Sequence, residues 1–398
     1  MLEGRKVVLG VTGGIAAYKA AELTRALIKK GACVRAVMTV NAMEFITPLT
    51  MQILSGNPVC SEMFLPPQDF EMAHISLSDF ADILVIAPAT ANVIGKIASG
   101  LADDLLTTTV MAAKAPVLIC PAMNVNMLTN AAVQENMAKL AARGYHLLEP
   151  GYGELACKTE GAGRLPDIPE IVEEIETILT MKDLTGEKLL ITAGPTREPL
   201  DPVRFITNYS SGKMGYALAV AAKRRGADVT LISGPTSLPP PRGVRFVGVS
   251  TALEMREAVM AHYKEATSII KAAAVADYRP SVRSDAKIKK HEGAFLLSLE
   301  RNPDIIEEIG KLKGDRILIG FAMESENLIE NARGKMLKKN MDYIAANMIA
   351  MEGAGFQSDT NIITIIGRDG RVEELPRMDK QQAADKILDK IKAARNDV

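Results

Sequence analysis

KVVLGVTGGIAAYKAAELTRALIKKGACVRAVMT, residues 6–39, decides the fold of this chain. An apolar run ends near Val11, a Gly turn follows, apolar positions then recur at helical spacing, and a second apolar run spans Val34–Met38. That order is strand, helix, strand. It returns at Lys188, where KLLITAGP (188–195) leads through a long loop into SSGKMGYALAVAAKRRGADVTLISG (210–234). A chain that begins an α/β unit twice is expected to build two α/β domains with mainly parallel sheets.

Further strands are expected at Ile83–Ala87 and Val117–Cys120, with helices over Ala91–Ser99, Asp103–Ala113 and Met127–Arg143. After the Gly-rich stretch Gly151–Gly163 comes a helix from about Ile168 to Met181 and then the polar turn KDLTGE (182–187). The seam belongs there, giving domains 1–184 and 185–398. The second half reads as strands at Val229–Ser233, Ser268–Ala272, Ile317–Gly320 and Tyr343–Ala346, helices between them, and a hairpin from Ile362 to Leu375. In such sheets ligands sit beyond the carboxyl ends of the strands, so residues at strand ends carry most weight.

Composition agrees. A chain of 398 residues exceeds one ordinary core, since domains run to roughly 150 residues. Lys+Arg 47 against Asp+Glu 48 argues against nucleic acid or a polybasic membrane surface as partner. Hydrophobic content of 47% with 4% aromatic and no Trp describes an aliphatic core. The richest apolar stretch, Ile83–Ala98, is broken by Pro88, Asn92 and Lys96, so no membrane span is expected. The start reads as a strand and not as a secretory core. Four scattered cysteines, none in a C-x-x-C pair, indicate neither a disulfide scaffold nor a zinc site, and a reducing cytoplasm is the expected location.

Gly10-Val11-Thr12-Gly13-Gly14 has the small residues that let backbone N–H groups approach an anion at a helix start. It is not G-x-G-x-x-G, and Met38-Thr39-Val40-Asn41 lacks the acidic residue that would hold the ribose of NAD. A mononucleotide such as FMN suits it better than a dinucleotide, and an empty βα turn is the plain alternative. Gly212-Lys213 is no P-loop, because Thr207 stands where that motif needs Gly. What remains is a loop of about 18 residues carrying Arg197, Arg204, Asn208, Ser210, Ser211 and Lys213, a length that favours function over mere connection.

The segments EMAHISLSDFADILVIAPATANVIGKIASGLADDLLTT (71–108), PAMNVNML (121–128) and ELACKTEGAGRLPD (154–167) resemble the flavin-dependent cysteine decarboxylases that act on 4'-phosphopantothenoylcysteine. ITAGPTREPLDPVRFITNYSSGKMG (191–215), AAVADYRP (273–280), KIKK (287–290) and NPDI (302–305) resemble the phosphopantothenate–cysteine ligase domain. In that order they are similar to the bifunctional enzymes of coenzyme A biosynthesis. The resemblance implies two Rossmann-like domains, the first a flavodoxin-like flavoprotein decarboxylase domain and the second a ligase domain. It implies CTP-dependent joining of 4'-phosphopantothenate to cysteine through an acyl-cytidylate, then FMN-dependent decarboxylation to 4'-phosphopantetheine. Loss of CO₂ directly from a cysteine carboxylate leaves an unstabilised carbanion, and prior oxidation of the thiol supplies an electron sink. Mg²⁺ would accompany CTP. A homo-oligomer is implied, with flavin sites at subunit contacts and a dimeric ligase domain.

The same resemblance assigns residues. His74 would be base or orienting group, Asn124 would hold the substrate carboxylate, and Cys157, in a polar Gly-rich segment read as a flap, would donate a proton. Lys158 follows where the family commonly has Gly, and Leu128 stands where the family has Trp. The flavin site would include Gly13, Gly14, Ile15, Ala16, Thr39, Ala89, Thr90, Ala91, Asn92 and Met123. In the second domain Asn208 would stabilise the acyl-cytidylate and Lys287 would meet the nucleotide phosphates. Asp277 would hold the divalent cation or the nucleotide, with a turn cap as its plain alternative. Ala272, Ala273 and Ala274 would line the cytosine pocket; Pro303, Asp304, Ile305, Ile306, Phe321, Lys335 and Lys339 complete the CTP site. The two lysines, four apart, are expected to converge on one anion. A decarboxylase for another peptidyl cysteine or an aromatic acid, and a flavoprotein regulator without catalysis, are the rival readings. The ligase motifs oppose the first, and the retained His74, Asn124, Cys157, Asn208 and Lys287 oppose the second.

Overall fold

The computed structural model describes residues 2–64, 72–154, 160–289, 295–324, 326–348 and 360–396. The chain divides into two compact units, Met1–Thr180 and Met181–Val398. The expected helix stops at Leu179, and the divide follows directly after it, just before the KDLTGE turn.

In the first unit β1 (Lys6–Val11), β2 (Cys33–Met38), β3 (Ile83–Ala89), β4 (Val117–Pro121) and β5 (His146–Leu147) lie in the order β2-β1-β3-β4-β5. Every neighbouring pair is parallel. This is the flavodoxin-like order, and it reverses between β1 and β3. The helices are α1 (Lys19–Lys29), α2 (Val40–Met43), α3 (Pro48–Ser55), α4 (Ala73–Phe80), α5 (Ala91–Ser99), α6 (Leu105–Ala112), α7 (Val125–Leu128), α8 (Ala131–Ala142) and α9 (Ile168–Leu179). All seven residues of β3 are buried, as a strand covered on both faces requires. Val7, Leu9 and Val85 face Leu23 and Leu27 of α1 and Ile171 and Ile175 of α9, whereas Val8, Leu84 and Ile86 face Ile94 of α5 and Leu106 of α6. Buried positions 20, 23, 24 and 27 of α1 show why that stretch is helical, being one stripe at 3.6-residue spacing.

Three local features differ from the expectations, the first two with side-chain causes. The helix expected over Met127–Arg143 is two helices, because Asn124 and Asn130 each cap a new start through Oδ1, accepting from the N–H of Asn126 at 2.8 Å and Ala132 at 3.0 Å. Asp104 caps α6 in a reciprocal capping box with Thr107, so that helix begins two residues later than expected. The Gly-rich stretch read as a flap is framed by an antiparallel pair, β6 (Gly151–Glu154) and β7 (Glu160–Arg164).

The second unit contains β8 (Lys188–Ala193), β9 (Arg197–Pro199), β10 (Phe205–Thr207), β11 (Asp228–Ser233), β12 (Arg245–Gly248), β13 (Ser268–Lys271), β14 (Tyr278–Pro280), β15 (Leu299–Arg301), β16 (Ile317–Glu324), β17 (Tyr343–Met348), β18 (Thr360–Asn361), β19 (Thr364–Gly367) and β20 (Val372–Glu374). Its main sheet runs β12-β11-β8-β13-β16-β17-β19-β20, parallel from β12 to β17 and antiparallel beyond. The order reverses between β8 and β13. The long loop after β8 is partly ordered as the antiparallel pair β9–β10. On one face pack α10 (Lys213–Arg224) and α14 (Lys380–Asn396); on the other, α11 (Ala252–His262), α12 (Ile305–Leu312) and α13 (Leu328–Lys338). Arg224 reaches Asp385 across the α10–α14 contact at 2.8 Å, and Arg225 grips Asp183 through Nε at 2.8 Å and Nη2 at 2.9 Å. No helix of the described residues is long and apolar enough to cross a membrane.

Candidate functional site

A cavity of about 990 Å³ opens where the first sheet reverses its strand order, within the range of small-molecule sites. Loops following β1, β2, β3 and β4 line it through Gly13, Thr39, Thr90 and Asn124, joined by Arg164 of β7. At Gly13 a Cβ would lie 2.3 Å from the Cβ of Asn41, so only glycine lets the first turn approach the loop after β2. Gly14 precedes the short helical turn Ile15–Tyr18, and no side chain caps that start. Backbone donors at a helix start with no side-chain cap suit an anion.

Thr12 closes the floor. Its buried hydroxyl donates to the carbonyl of Pro88 at 2.7 Å and accepts the N–H of Thr90 at 3.0 Å, tying the end of β1 to the end of β3 across the reversal. Sequence reasoning quoted this threonine without giving it a role; only its neighbourhood to Gly13 marked it. Thr39 and Thr90 cap α2 and α5 by accepting from Ala42 and Val93 N–H. Lys96 lines the cavity with its ammonium 2.7 Å from Asp103 and 3.1 Å from Asp104. The hydrogen bond to Asp103, only partly offset by burial, raises its pKa.

Gly13, Gly14, Ile15, Ala16, Thr39, Thr90, Ala91, Asn92, Met123 and Asn124 all stand in the cavity wall, with Met127 beside them. Ala89 does not: its side chain is fully buried in the core between β3 and the helices. Leu128 is buried. His74 sits in the first turn of α4, half-buried, and is not among the residues that line the cavity. Cys157 and Lys158 lie outside the described residues. The strand leading back from them is held tightly, since Met123 N–H donates to the Gly163 carbonyl at 2.9 Å. Gly163 has φ 140°, and a Cβ there would meet the Met123 carbonyl oxygen at 2.2 Å.

In the second unit the candidates assemble around the ends of β8 and β13. Ala272 and Ala274 N–H donate to the carbonyls of Thr192 and Gly194, and Ala273 N–H to the Thr192 hydroxyl at 3.2 Å. Asn208 Nδ2 donates to the carbonyls of Val275 at 3.1 Å and Ala274 at 3.4 Å, so the long loop and the Ala272–Ala274 segment form one wall. Asn302 stitches the next segment on, donating through Nδ2 to Ala276 O at 2.8 Å and through N–H to Asp277 O at 2.8 Å. That brings Pro303 and Asp304 beside exposed Asp277. Ile305 and Ile306 are buried in the core, leaving only their backbone for a ligand. Phe321, on β16, packs partly buried against the core on the α10–α14 face.

The two lysines do not converge. Lys335 pairs with Glu324 at 2.7 Å and Lys339 with Asp304 at 2.7 Å, because Lys339 is the cap beyond the last turn of α13 rather than a member of its face. Asp304 also caps α12 by accepting from Glu307 N–H. Burial pushes its carboxyl up, but the Lys339 hydrogen bond, that N–H and the charges of Lys339 and Lys271 together hold it below the usual range. Lys287 is exposed, on a segment anchored by its neighbour: Ile288 N–H donates to Asp201 at 3.1 Å. Among the described residues no group of three or more His, Cys, Asp or Glu side chains gathers to hold a metal.

Residues 1–180 match the family model described as Flavoprotein, and residues 184–394 that of the DNA/pantothenate metabolism flavoprotein C-terminal domain. A Coenzyme A biosynthesis bifunctional protein CoaBC of Bacillus subtilis (strain 168) is 49% identical over 397 residues, 99% of this chain and 98% of that one. Its namesake from Escherichia coli (strain K12) is 46% identical over 395 residues, 98% of this chain and 97% of that one. The crystal structure of a C-terminal domain of such a protein covers 55% of this chain and 100% of itself at 44% identity and TM-score 0.48. The FMN-dependent cysteine decarboxylase SpaF covers 43% of this chain and 95% of itself at 33% identity and TM-score 0.39.

Proposed function

The chain belongs to the family of coenzyme A biosynthesis bifunctional proteins, and from that premise we propose how its two units divide the work. Residues 185–398 join 4'-phosphopantothenate to cysteine at the expense of CTP, and residues 1–184 decarboxylate the product to 4'-phosphopantetheine. The reading is carried by one observation: each unit gathers its strand-end loops at the point where its own sheet reverses order, the place such sheets hold ligands.

FMN fits the first unit. The cavity has the required volume, its floor is braced by Thr12, and Gly13 leaves the turn bare for a phosphate. Bound flavin supplies an electron sink for the substrate thiol, which is what makes departure of CO₂ feasible. Asn124 holds the carboxylate as a neutral amide, its Oδ1 fixed by Asn126 N–H. Cys157, which lies in the sequence between β6 and β7, supplies the proton. His74, which does not line the cavity of its own chain, fits a homo-oligomer in which it serves a neighbouring subunit's flavin site.

In the second unit Asn208, held by two backbone carbonyls, is aimed for the acyl-cytidylate, and Lys287 for the phosphates. An exposed carboxylate, Asp277, suits Mg²⁺, which is usually held by one or two carboxylates and by the substrate's phosphate oxygens. The protein would work in the cytoplasm, where free Cys33, Cys60 and Cys120 stay reduced.

The test supplies purified protein with 4'-phosphopantothenate, cysteine, CTP and Mg²⁺ and follows pyrophosphate and then CO₂. Both are expected, in that order. Cys157→Ser should leave pyrophosphate release intact and stop 4'-phosphopantetheine from forming; loss of both activities would refute the division.

A further inference from the structure

Lys271 is the last residue of β13, one of the two strands between which the second sheet reverses its order. In register it stands beside Thr192 of β8 and Gly320 of β16. Side chains alternate along a strand, so Lys271 shares the face of Ile269, the face covered by α12 and α13. It therefore leaves the sheet at its carboxyl edge, where Asp304 opens α12 and is reached by the Lys339 side chain.

We propose that the Lys271 ammonium binds a phosphate oxygen of the nucleotide, a role resting on the CTP reading above. Three features converge on it. The position is the reversal point, where open α/β sheets take their ligands. The cation is not spent: Lys339, whose charge Lys271 feels, is paired with Asp304 at 2.7 Å, whereas Lys271 makes no hydrogen bond or ion pair among the described residues. The ammonium, buried although the residue as a whole is partly exposed, is also poorly satisfied. Burial lowers its pKa to about 8; Asp304 and Asp277 act to raise it and Lys339 to lower it. A cation left short of counter-charge gains most from an arriving anion.

The experiment uses the full chain. Calorimetric titration with CTP and Mg²⁺ is compared with titration by cytidine, which has the base and sugar and no phosphate. Lys271→Met should weaken CTP about tenfold or more, the worth of a charge-assisted hydrogen bond, and leave cytidine unchanged. Lys271→Arg should restore most of the loss. Wild-type CTP affinity in Lys271→Met overturns the proposal, as does an equal loss for cytidine and CTP, which marks a structural role. A wild-type chain that binds no CTP removes the nucleotide reading and this inference together, whereas failure of the variant pattern alone leaves the nucleotide reading standing.

Discussion

Asp201 Oδ2 accepts the backbone N–H of Ile288 at 3.1 Å, while its Oδ1 accepts those of Val203 and Arg204, each at 2.8 Å. A buried carboxylate thus ties the turn before β10 to the segment that carries Lys287. Burial pushes the Asp201 carboxyl up, but the three N–H donors and the Arg204 charge outweigh it and leave it below the usual range. Asp201→Ala should free that segment and slow amide synthesis by about a hundredfold, the scale expected when a reacting group is misplaced. Decarboxylation of supplied 4'-phosphopantothenoylcysteine should keep its wild-type rate. Equal slowing of both steps would show general unfolding instead.

The same carboxylate makes a pH prediction. Its pKa is lower folded than unfolded, so its contribution to stability is present above the unfolded value of about 3.9 and is lost as pH falls through the folded value. The urea midpoint of Asp201→Asn should therefore lie below wild type at pH 7, and the gap should narrow below about pH 4. A gap that stays constant across that window would mean that the ionised form is not what the fold uses.

Thr12 is the corresponding brace of the first unit. Thr12→Val keeps the shape and strands the Pro88 carbonyl and Thr90 N–H, at a cost of about 1–3 kcal/mol. Flavin should dissociate more readily, read as loss of yellow colour on gel filtration, and Thr12→Ser should retain it. If the valine variant holds flavin as tightly as wild type, the brace is irrelevant to the site.

Gly163→Ala places a methyl group on the Met123 carbonyl in a backbone conformation alanine rarely adopts. Decarboxylation should fall with pyrophosphate release from the ligase step unaffected. Undiminished decarboxylation would show that β7 yields without consequence.

Asn208→Asp sets a carboxylate against the carbonyl oxygens of Ala274 and Val275, where the amide now donates. Pyrophosphate release should drop more than in Asn208→Ala, since repulsion is added to a lost donor. Equal rates in the two variants would place the amide's role elsewhere.

The elements that were readable in advance are those whose signal is local. The helix at Ala91–Ser99 matches its expected bounds, because Thr90 before it and Gly100 after it are adjacent stop signs. The strands expected at Ile83–Ala87 and Val117–Cys120 announced themselves as apolar runs, and in the structure they extend to Ala89 and Pro121. The residues missed bond across long separations: Thr12 to Pro88 over 76 positions and Asp201 to Ile288 over 87. Lys271, inside the strand expected at Ser268–Ala272, carried no signal of its own, and Lys335 and Lys339 looked like one anion trap until Glu324 and Asp304 claimed one each.

Sequence alone determined the period of each segment, the two βαβ beginnings and the short motifs, because periodicity and turn chemistry act over a few residues. Only the tertiary structure decided which strand ends become neighbours, and with them the reversal points, the braced cavity and the partner of each charge. Those depend on how apolar faces pair once the chain has collapsed, and burial then makes every polar group at a strand end find a partner or, like Lys271, await one.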